Sequence, residues 1–523
     1  MTKTTKSSNY NRIAVNTVML YFRMLLIMLV SLYIVRILLA ALGQEDYGLY
    51  NVIGGIVVMF SFLTHVLSSA SQRFFAYDIG QGNYNQLSKT YSTIILLFVL
   101  VIAVIILLAE TIGLWFLHNK MTIPQERMTA ANWVYQFSIL SFCWKVFTSP
   151  YQAIIIAHER MNIYAYVGIA EVLLQLILVL ILQNVEQDRL MVYSLLMFLI
   201  VFIINSLYIA YAKLRYKQIR FVTNWDKSLF GKVVSYSGWT LFGAFASLAR
   251  SQGINIILNV YFTPVVNAAR GIAHNVNSSV SSFSGNFYTA VKPQIVKYYA
   301  QGDLESCYKL VFRSSKMSFI LIYTLVLPAM FYTPEILTLW LKEYPDNTVV
   351  FTRLILVVAL VSSLANPLIT FNQATGNIKV FQIIISLIFL SNLPLSIVAF
   401  EFGARPVYAF VISICVSIVA FIARIIIIRY QHHFPAFNYI KEVVLRILVS
   451  IIVTLSIMWV WHHLCDNSSS IILLIINIIL SLIFTMIFTF YICLDASEKS
   501  SIFRTIKKSL LDNISYEHKS KIR

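Results

Sequence analysis

The sequence predicts an all-α polytopic membrane protein with about fourteen transmembrane helices. Of its 523 residues, 59% are hydrophobic and only 12% are charged, whereas soluble globular proteins carry roughly 25% charged residues. The apolar residues gather into stretches of about twenty, the length that a helix needs to cross a hydrocarbon layer about 30 Å thick. These observations exclude a soluble enzyme, and the high apolar content excludes a disordered chain.

Fourteen apolar stretches follow one another along the chain. Most are too long for barrel strands and they lack strict polar and apolar alternation, so helices are favoured over an outer-membrane barrel. The first is too long for a signal-peptide core and lacks a small-residue cleavage site, so we expect it to be a retained helix. The stretches lie near residues 13–41, 48–71, 90–109, 129–153, 163–182, 190–211, 233–262, 266–290, 314–332, 351–371, 380–400, 406–428, 444–463 and 471–493.

The distribution of basic residues predicts the orientation of these helices. With the amino terminus in the cytoplasm, the inward segments hold 29 Lys and Arg residues and the outward segments hold 6. Short cytoplasmic loops are enriched in Lys and Arg, so both termini are predicted to be cytoplasmic. The net charge of +18 would suggest nucleic acid in a soluble protein. Here it is mainly an orientation signal, and no nucleic acid partner is expected.

The two halves of the chain resemble each other at a nearly constant offset. This similarity predicts that helices 1–6 repeat as helices 7–12 in a parallel pseudo-repeat, with helices 13 and 14 left over. At an offset of 220, Leu42–Gly48 aligns with Phe262–Ala268 and Gln81–Asn83 with Gln301–Asp303, and at 217 Pro150 aligns with Pro367 and Ala157 with Ala374. The predicted parts are an amino-terminal segment 1–12, a first lobe 13–212, a basic linker 213–232, a second lobe 233–430, two further helices within 431–494 and a basic tail 495–523.

Several segments resemble the multidrug/oligosaccharidyl-lipid/polysaccharide exporter superfamily, and within it the bacterial flippases of O-antigen or capsule repeat units. The segments are Leu42–Tyr50, Arg250–Asn255, Asn267–Ala273, Lys292–Lys297 and Gln301–Asp303. The resemblance implies a MATE-like fold of two six-helix lobes plus two helices. It also implies alternating-access translocation of an oligosaccharide on a polyprenyl pyrophosphate across the bacterial inner membrane, for surface polysaccharide biosynthesis. The implied partners are membrane lipids, a coupling proton or sodium ion, and other polysaccharide-assembly proteins.

Polar side chains inside the predicted spans identify a candidate substrate site. They recur at helical spacing along helices 2, 4, 7, 8 and 10, although small polar residues also serve close helix packing. Five basic residues are embedded, Arg23, Arg36, Lys145, Arg250 and Arg270, whereas Glu171 is the one clearly embedded acid. Arg36 and Arg270 lie where they could instead reach the headgroups. The candidate substrate-binding residues are Arg23, Arg250, Lys145, Arg270, His274, Asn255, Asn277, Asn51 and His65.

Guanidinium groups bind phosphates through paired, charge-assisted hydrogen bonds, so an excess of embedded Arg and Lys favours an anionic substrate. The alternatives are a cation-coupled multidrug exporter, which needs embedded carboxylates, a membrane polysaccharide polymerase or glycosyltransferase, and a membrane scaffold without transport activity. No Asp-X-Asp pair, phosphate-binding loop or Cys/His metal spacing occurs in the sequence. We therefore expect no enzymatic activity, no cofactor and no metal site.

Overall fold

The structure is a computed structural model in which all regular secondary structure of the described residues is helical. This confirms the predicted all-α class. Two compact units divide between Leu241 and Phe242, inside one long helix. We call Val15–Leu241 the amino-terminal unit and the chain from Phe242 onward the carboxyl-terminal unit. The described residues are 19–31, 33–34, 37–38, 40–43, 46, 49–50, 53, 61–119, 123–222, 226–262, 264–341, 343–465 and 471–500.

In the amino-terminal unit, helix α5 is the central element and contacts α2, α3, α6 and α7. A short π-helical turn, Ala109–Gly113, joins α3 to α4. The helices are α1 (Met19–Ser31), α2 (Ser61–Gln81), α3 (Tyr84–Leu108), α4 (Leu114–Asn119), α5 (Met128–Ala157), α6 (Met161–Leu182), α7 (Arg189–Arg215) and α8 (Lys227–Tyr261), which continues into the other unit.

In the carboxyl-terminal unit, α12 contacts α9, α10 and α15, and α18 packs on α10 and α17. The predicted stretch 380–400 is divided at Ser391, because Pro394 has no N–H to continue the helical hydrogen bonds. The helices are α9 (Pro264–Ala300), α10 (Leu304–Phe331), α11 (Thr333–Leu341), α12 (Thr348–Thr375), α13 (Lys379–Leu390), α14 (Asn392–Glu401), α15 (Tyr408–His432), α16 (Ala436–Tyr439), α17 (Leu445–Cys465) and α18 (Ile471–Cys493).

The chain is a multi-pass membrane protein. Within the described residues, 11 helical segments are long and apolar enough to cross a membrane. The other three predicted stretches correspond to α1, which is described over a shorter length, and to α2 and α9, whose sequences contain many polar side chains. Polar groups in spanning helices are unfavourable against lipid and are concentrated at functional surfaces. The low hydropathy of α2 and α9 therefore identifies these two helices as candidates for a functional surface.

The short turn between α2 and α3 contains a glycine in the left-handed conformation. Gly82 has φ 71°. Its N–H donates to the backbone carbonyl of Ile79 at 3.1 Å, and the N–H of Asn83 donates to the backbone carbonyl of Asp78 at 3.2 Å. This pair of bonds is a Schellman motif. Asn83 then caps α3, because its side chain accepts a hydrogen bond from the N–H of Gln86. Two unsatisfied helix ends are therefore completed by two consecutive residues.

The same turn recurs between α9 and α10, 220 residues later. Gly302 has φ 73°. Its N–H donates to the backbone carbonyl of Tyr299, and the N–H of Asp303 donates to the backbone carbonyl of Tyr298, both at 3.1 Å. The Asp303 side chain caps α10 by accepting from the N–H of Ser306. The sequence offset therefore marks a shared local structure as well as a shared hydrophobic pattern.

A second equivalence follows the 217-residue offset. Pro150 lies inside α5 and Pro367 inside α12. A left-handed residue follows each helix, Glu159 with φ 63° two residues after Ala157 and Gly376 with φ 82° directly after Thr375. The second half has the residue type that this conformation favours, whereas the first half places a glutamate there.

The segment joining α7 to α8 is hydrogen-bonded to α3. The backbone N–H of Arg220 donates to Ser88 Oγ at 3.3 Å, and that of Val222 donates to Ser92 Oγ at 2.7 Å. Two serines one helical turn apart therefore hold an extended stretch of the predicted basic linker. Within the predicted linker 213–232, α7 ends at Arg215 and α8 begins at Lys227.

An ion-pair network ties the segment after α18 to the carboxyl-terminal unit. Lys316 of α10 is 1% exposed, and its Nζ lies 2.6 Å from Glu498 and 3.6 Å from Asp495. Arg446 of α17 also pairs with Asp495, whose N–H donates to Glu498 Oε2. Burial tends to raise the pKa of Asp495, but the hydrogen bond with Arg446 and the charge of Lys316 hold that pKa below its ordinary value.

Candidate functional site

Arg23 is the embedded basic residue of α1, and it lies against α6. Its guanidinium carbon is 4.3 Å from the ring centroid of Tyr164, a cation–π contact. Gly168, one turn along α6, leaves the room that the guanidinium occupies, since a Cβ atom there would lie 2.9 Å from Arg23 Cζ. Arg23 Nε is buried and has no hydrogen-bond partner among the described residues. The side chain is thus positioned by an aromatic face and a glycine, with donor capacity left over.

Lys145 of α5 faces Glu171 of α6, with Nζ 4.0 Å from Oε1. Lys145 remains half exposed in this pair, since 50% of its side chain is accessible. Tyr208 of α7 lies within electrostatic range of both Glu171 and Arg23, and its ring centroid is 6.3 Å from that of Tyr164. The predicted acid therefore pairs with Lys145, the member of the basic set that gains a carboxylate partner.

A buried asparagine that the sequence did not mark connects α7 to the polar face of α5. Asn205 is 3% exposed, and its Oδ1 accepts hydrogen bonds from Thr148 Oγ1 at 3.2 Å and Gln152 Nε2 at 3.0 Å. Its amide donates to the Val201 carbonyl of its own helix. The polar face of α5 is therefore partly a packing interface, and α7 supplies the acceptor at its centre.

In the carboxyl-terminal unit, Arg270 of α9 is bonded across to α8. Its Nη1 donates to Asn255 Oδ1 at 3.1 Å, and its Nη2 donates to the Ser251 carbonyl at 2.6 Å. Asn267 adds a bond from its amide to the Asn255 carbonyl. Arg270 and Asn255, both predicted site residues, thus form an interhelical clamp in which two of the arginine nitrogens are engaged.

The remaining predicted residues of α9 lie on a polar surface. His274 is exposed and Asn277 is partly exposed, and Ser281 donates to Asn277 Oδ1 at 3.5 Å. His65 of α2 in the other unit is also exposed. An exposed polar surface on a membrane helix requires water or a polar ligand beside it. The face comprises Gly271, His274, Asn275, Ser278, Ser279, Ser282 and Gly285.

Arg250 of α8 shares an aromatic ring with a second arginine. Its guanidinium carbon is 4.4 Å from the centroid of Phe389 on α13, and that of Arg424 on α15 is 5.3 Å from the same centroid. Arg250 Nη1 donates to Ser417 Oγ at 3.4 Å. Arg424 is 6% exposed and its Nε lacks a hydrogen-bond partner. Neither arginine forms an ion pair within the part of the chain that the structure describes.

Arg424 is a basic residue that is not among the five identified as embedded from the sequence. The structure places it within α15, four turns from Tyr408 and two from His432, and it is buried. The signal that identifies it is its position inside an apolar stretch, eight residues before the end of the helix. Two predicted residues, Arg36 and Asn51, lie outside the described residues. Within the described ranges, no group of His, Cys, Asp and Glu suited to a metal ion occurs.

Solved structures of membrane transporters have the same fold. The chain is similar to a MATE family multidrug resistance transporter of the MOP superfamily in an outward-facing conformation, with a TM-score of 0.67 and 14% identity, over 83% of this chain and 99% of that one. A MATE in a bent conformation gives a TM-score of 0.69 and 14% identity, over 82% and 98%. No family model matches the sequence, and no curated protein is significantly similar to it.

A third similar structure is a MOP superfamily transporter from Pyrococcus furiosus, described as having a binding pocket of reversed polarity that suggests a different function. Its TM-score is 0.64 with 13% identity, over 79% of this chain and 95% of that one. At these identities the similarity establishes the fold alone. A fold does not define a function, so the function is argued from the residues of this chain.

Proposed function

We propose that the protein is a flippase that translocates a lipid-linked oligosaccharide, carried on a polyprenyl pyrophosphate, across the bacterial inner membrane. The observation that carries the proposal is the excess of positive charge inside the membrane-spanning helices. Arg23, Arg250 and Arg424 have no carboxylate partner among the described residues, whereas Lys145 is paired with Glu171. Charged groups in a bilayer need a counter-ion or water, and a diphosphate supplies the counter-ion.

Each of three classes of described side chain suits a part of such a substrate. Arginine binds phosphate oxygens through two parallel, charge-assisted hydrogen bonds, which suits Arg23 with its unused Nε and the Arg250 group. The exposed amides and hydroxyls of α9, including Asn277 and Ser278, suit sugar hydroxyls. The apolar outer surfaces of the helices suit the polyprenyl chain, so that the lipid remains in the bilayer during translocation.

A cation-coupled multidrug exporter is the second candidate, because similar MATE structures include a multidrug transporter. Such an exporter needs an available carboxylate in the membrane for its cationic ligand. Glu171 faces Lys145 at 4.0 Å. Tyr208 lies within electrostatic range of both Glu171 and Arg23, so a second positive charge is near this carboxylate. This charge environment repels a cation and favours the flippase.

Arg23→Ala and Arg250→Ala test the proposal. In a strain whose own repeat-unit flippase is deleted, the wild-type chain should restore surface polysaccharide, and each variant, present at normal levels, should restore little. Arg429→Ala is the matched control, since Arg429 is an exposed arginine on α15. Full restoration by both site variants would refute the proposal.

The multidrug alternative is separated by its substrate. Cells with the wild-type chain should accumulate a cationic dye as strongly as cells without it, and Glu171→Gln should not change the accumulation. Dye efflux that requires Glu171, without restoration of polysaccharide, would replace the flippase assignment with the multidrug exporter.

A further inference from the structure

Arg424 is a charged side chain in a place that disfavours charge. It is 6% exposed, it lies within a helix long and apolar enough to span a membrane, and its Nε has no hydrogen-bond partner. Removing an ion from water without pairing it carries a large desolvation penalty. A cation–π contact offsets part of this penalty, but Arg424 shares its ring, Phe389, with Arg250.

The two arginines also carry like charges around one ring. A second positive group near Phe389 raises the electrostatic penalty instead of relieving it. Neither Arg250 nor Arg424 takes part in an ion pair with the described residues, so the described part of the chain does not balance the charge of this cluster. A bound anion is the direct way to balance it.

The neighbouring polar groups specify what kind of anion fits. Ser417 Oγ accepts from Arg250 and donates to the Ser413 carbonyl. Ser386 of α13, three residues before Phe389, is 1% exposed, and its hydroxyl has no partner. Two guanidiniums and a free hydroxyl are donors without a competing carboxylate, the arrangement that phosphate oxygens require. Arg250 is partly exposed, so the cluster has an accessible side.

We infer that α8, α13 and α15 form an anion site in the carboxyl-terminal unit, in which Arg250 and Arg424 together bind a phosphate or diphosphate group. Phe389 holds the two guanidiniums apart, and Ser386 supplies a further donor. The site adds to the proposed function the chemical group, a phosphate or diphosphate, that this unit binds. Binding of a lipid-linked ligand at this site rests on the proposed function. For an inorganic diphosphate it is independent of transport.

The test measures the thermal stability of the full-length purified protein in detergent with inorganic pyrophosphate, with sulfate and with farnesyl diphosphate. A ligand that binds the folded state raises stability by RT ln(1 + [L]/Kd). Pyrophosphate should raise the melting temperature of the wild type, and sulfate at equal ionic strength should do so much less. An equal effect of sulfate would overturn the inference, because it would show a general salt effect.

Arg424→Met should raise the melting temperature without ligand and abolish the rise that pyrophosphate causes. An arginine with a purely structural role would not give this combination. Without ligand, the variant should melt above the wild type, because an uncompensated buried charge has been replaced by an apolar side chain. With pyrophosphate, it should lose the stabilisation, with an apparent affinity at least tenfold weaker. Arg429→Met, the exposed control on the same helix, should behave as the wild type. An unchanged pyrophosphate response in Arg424→Met would overturn the inference.

Arg250→Gln serves as a second variant if Arg424→Met does not fold, with the same expected loss and the same contrary result. Tighter binding of farnesyl diphosphate than of pyrophosphate identifies a lipid-linked source, and equal binding identifies free diphosphate. Both support the site. A pyrophosphate response without flippase activity in cells would retain the site and refute the proposed function, so the two failures are distinguishable.

Discussion

Gly82 and Gly302 stand 220 residues apart and adopt the same left-handed conformation, with φ 71° and 73°. Gly82 directly follows α2, and Gly302 follows α9 after one residue; each is followed by a residue whose side chain caps the next helix, Asn83 or Asp303. Neither glycine has a neighbour within 4 Å of an added Cβ atom. Their identity is therefore dictated by backbone conformation and not by lack of space.

Replacement of either glycine by alanine should destabilise the protein by about 1 kcal/mol, the penalty for a Cβ atom in the left-handed region. The melting temperature in detergent should fall by a similar amount for Gly82→Ala and Gly302→Ala. Gly238→Ala is the control, because Gly238 lies inside α8 with open space around it. There, alanine should raise stability by about 0.5–1 kcal/mol. A stabilised Gly82→Ala would contradict this account of the repeat.

The buried Lys316–Glu498 pair predicts a large loss when one partner is removed. Glu498→Gln should destabilise the protein by about 3 kcal/mol, the lower end of the range for a broken buried pair, since Lys316 then keeps only its longer contact with Asp495. Lys316→Met combined with Glu498→Gln should recover most of the loss, which a double-mutant cycle measures. The control is the exposed pair Lys309–Glu305, with side chains 70% and 78% accessible, where Glu305→Gln should change stability by less than about 0.5 kcal/mol. Equal effects at the two pairs would be inconsistent with the network.

Asp495 predicts a component of acid sensitivity. Its pKa in the folded protein lies below the ordinary value of 3.8, because Arg446 and Lys316 outweigh the effect of burial. A lowered carboxyl pKa stabilises the folded state above the unfolded value, and this stability is lost as the pH falls through the folded value. The difference in melting temperature between the wild type and Asp495→Asn should therefore be constant above about pH 5 and shrink below about pH 4. A difference that grows on acidification would contradict the assignment.

The fold was predictable from the sequence because hydropathy and the repeat are long-range, redundant signals. Apolar stretches of the required length define the helices, and Gln81–Asn83 and Gln301–Asp303 define equivalent turns whose conformation the structure confirms. The break at Ser391 was less visible, because a proline near the middle of an apolar stretch does not reveal where the chain bends.

The candidate site was only partly predictable. Arg23 and Arg250 were identified because charge inside an apolar stretch is conspicuous, whereas Arg424 lies close enough to the end of α15 to resemble a topology determinant. Asn205 was missed because a single amide in an apolar helix has no periodic partner on its own helix, and its partners Thr148 and Gln152 lie on another. Pairing across helices is tertiary information that spacing along one helix does not contain.

The contact between Arg23 and Gly168 allows the position of the Arg23 guanidinium to be changed while its charge is kept. In Gly168→Ala the added methyl group would overlap the guanidinium, which can move because it is the end of a flexible side chain. The fold should therefore persist, while the stack on Tyr164 is lost, a contact of about 1–2 kcal/mol. If Arg23 binds the diphosphate from this position, half-saturation of transport should rise about tenfold, with the melting temperature nearly unchanged.

Gly231→Ala is the matched control, because Gly231 is a helical glycine of the same unit with nothing within 4 Å of an added Cβ atom. Its transport should equal that of the wild type. Arg23→Lys should resemble Gly168→Ala, since it keeps the charge but loses the planar, bidentate group. Wild-type half-saturation in both Gly168→Ala and Arg23→Lys would show that charge at this position suffices, and that the geometry set by Gly168 and Tyr164 is not used in substrate binding.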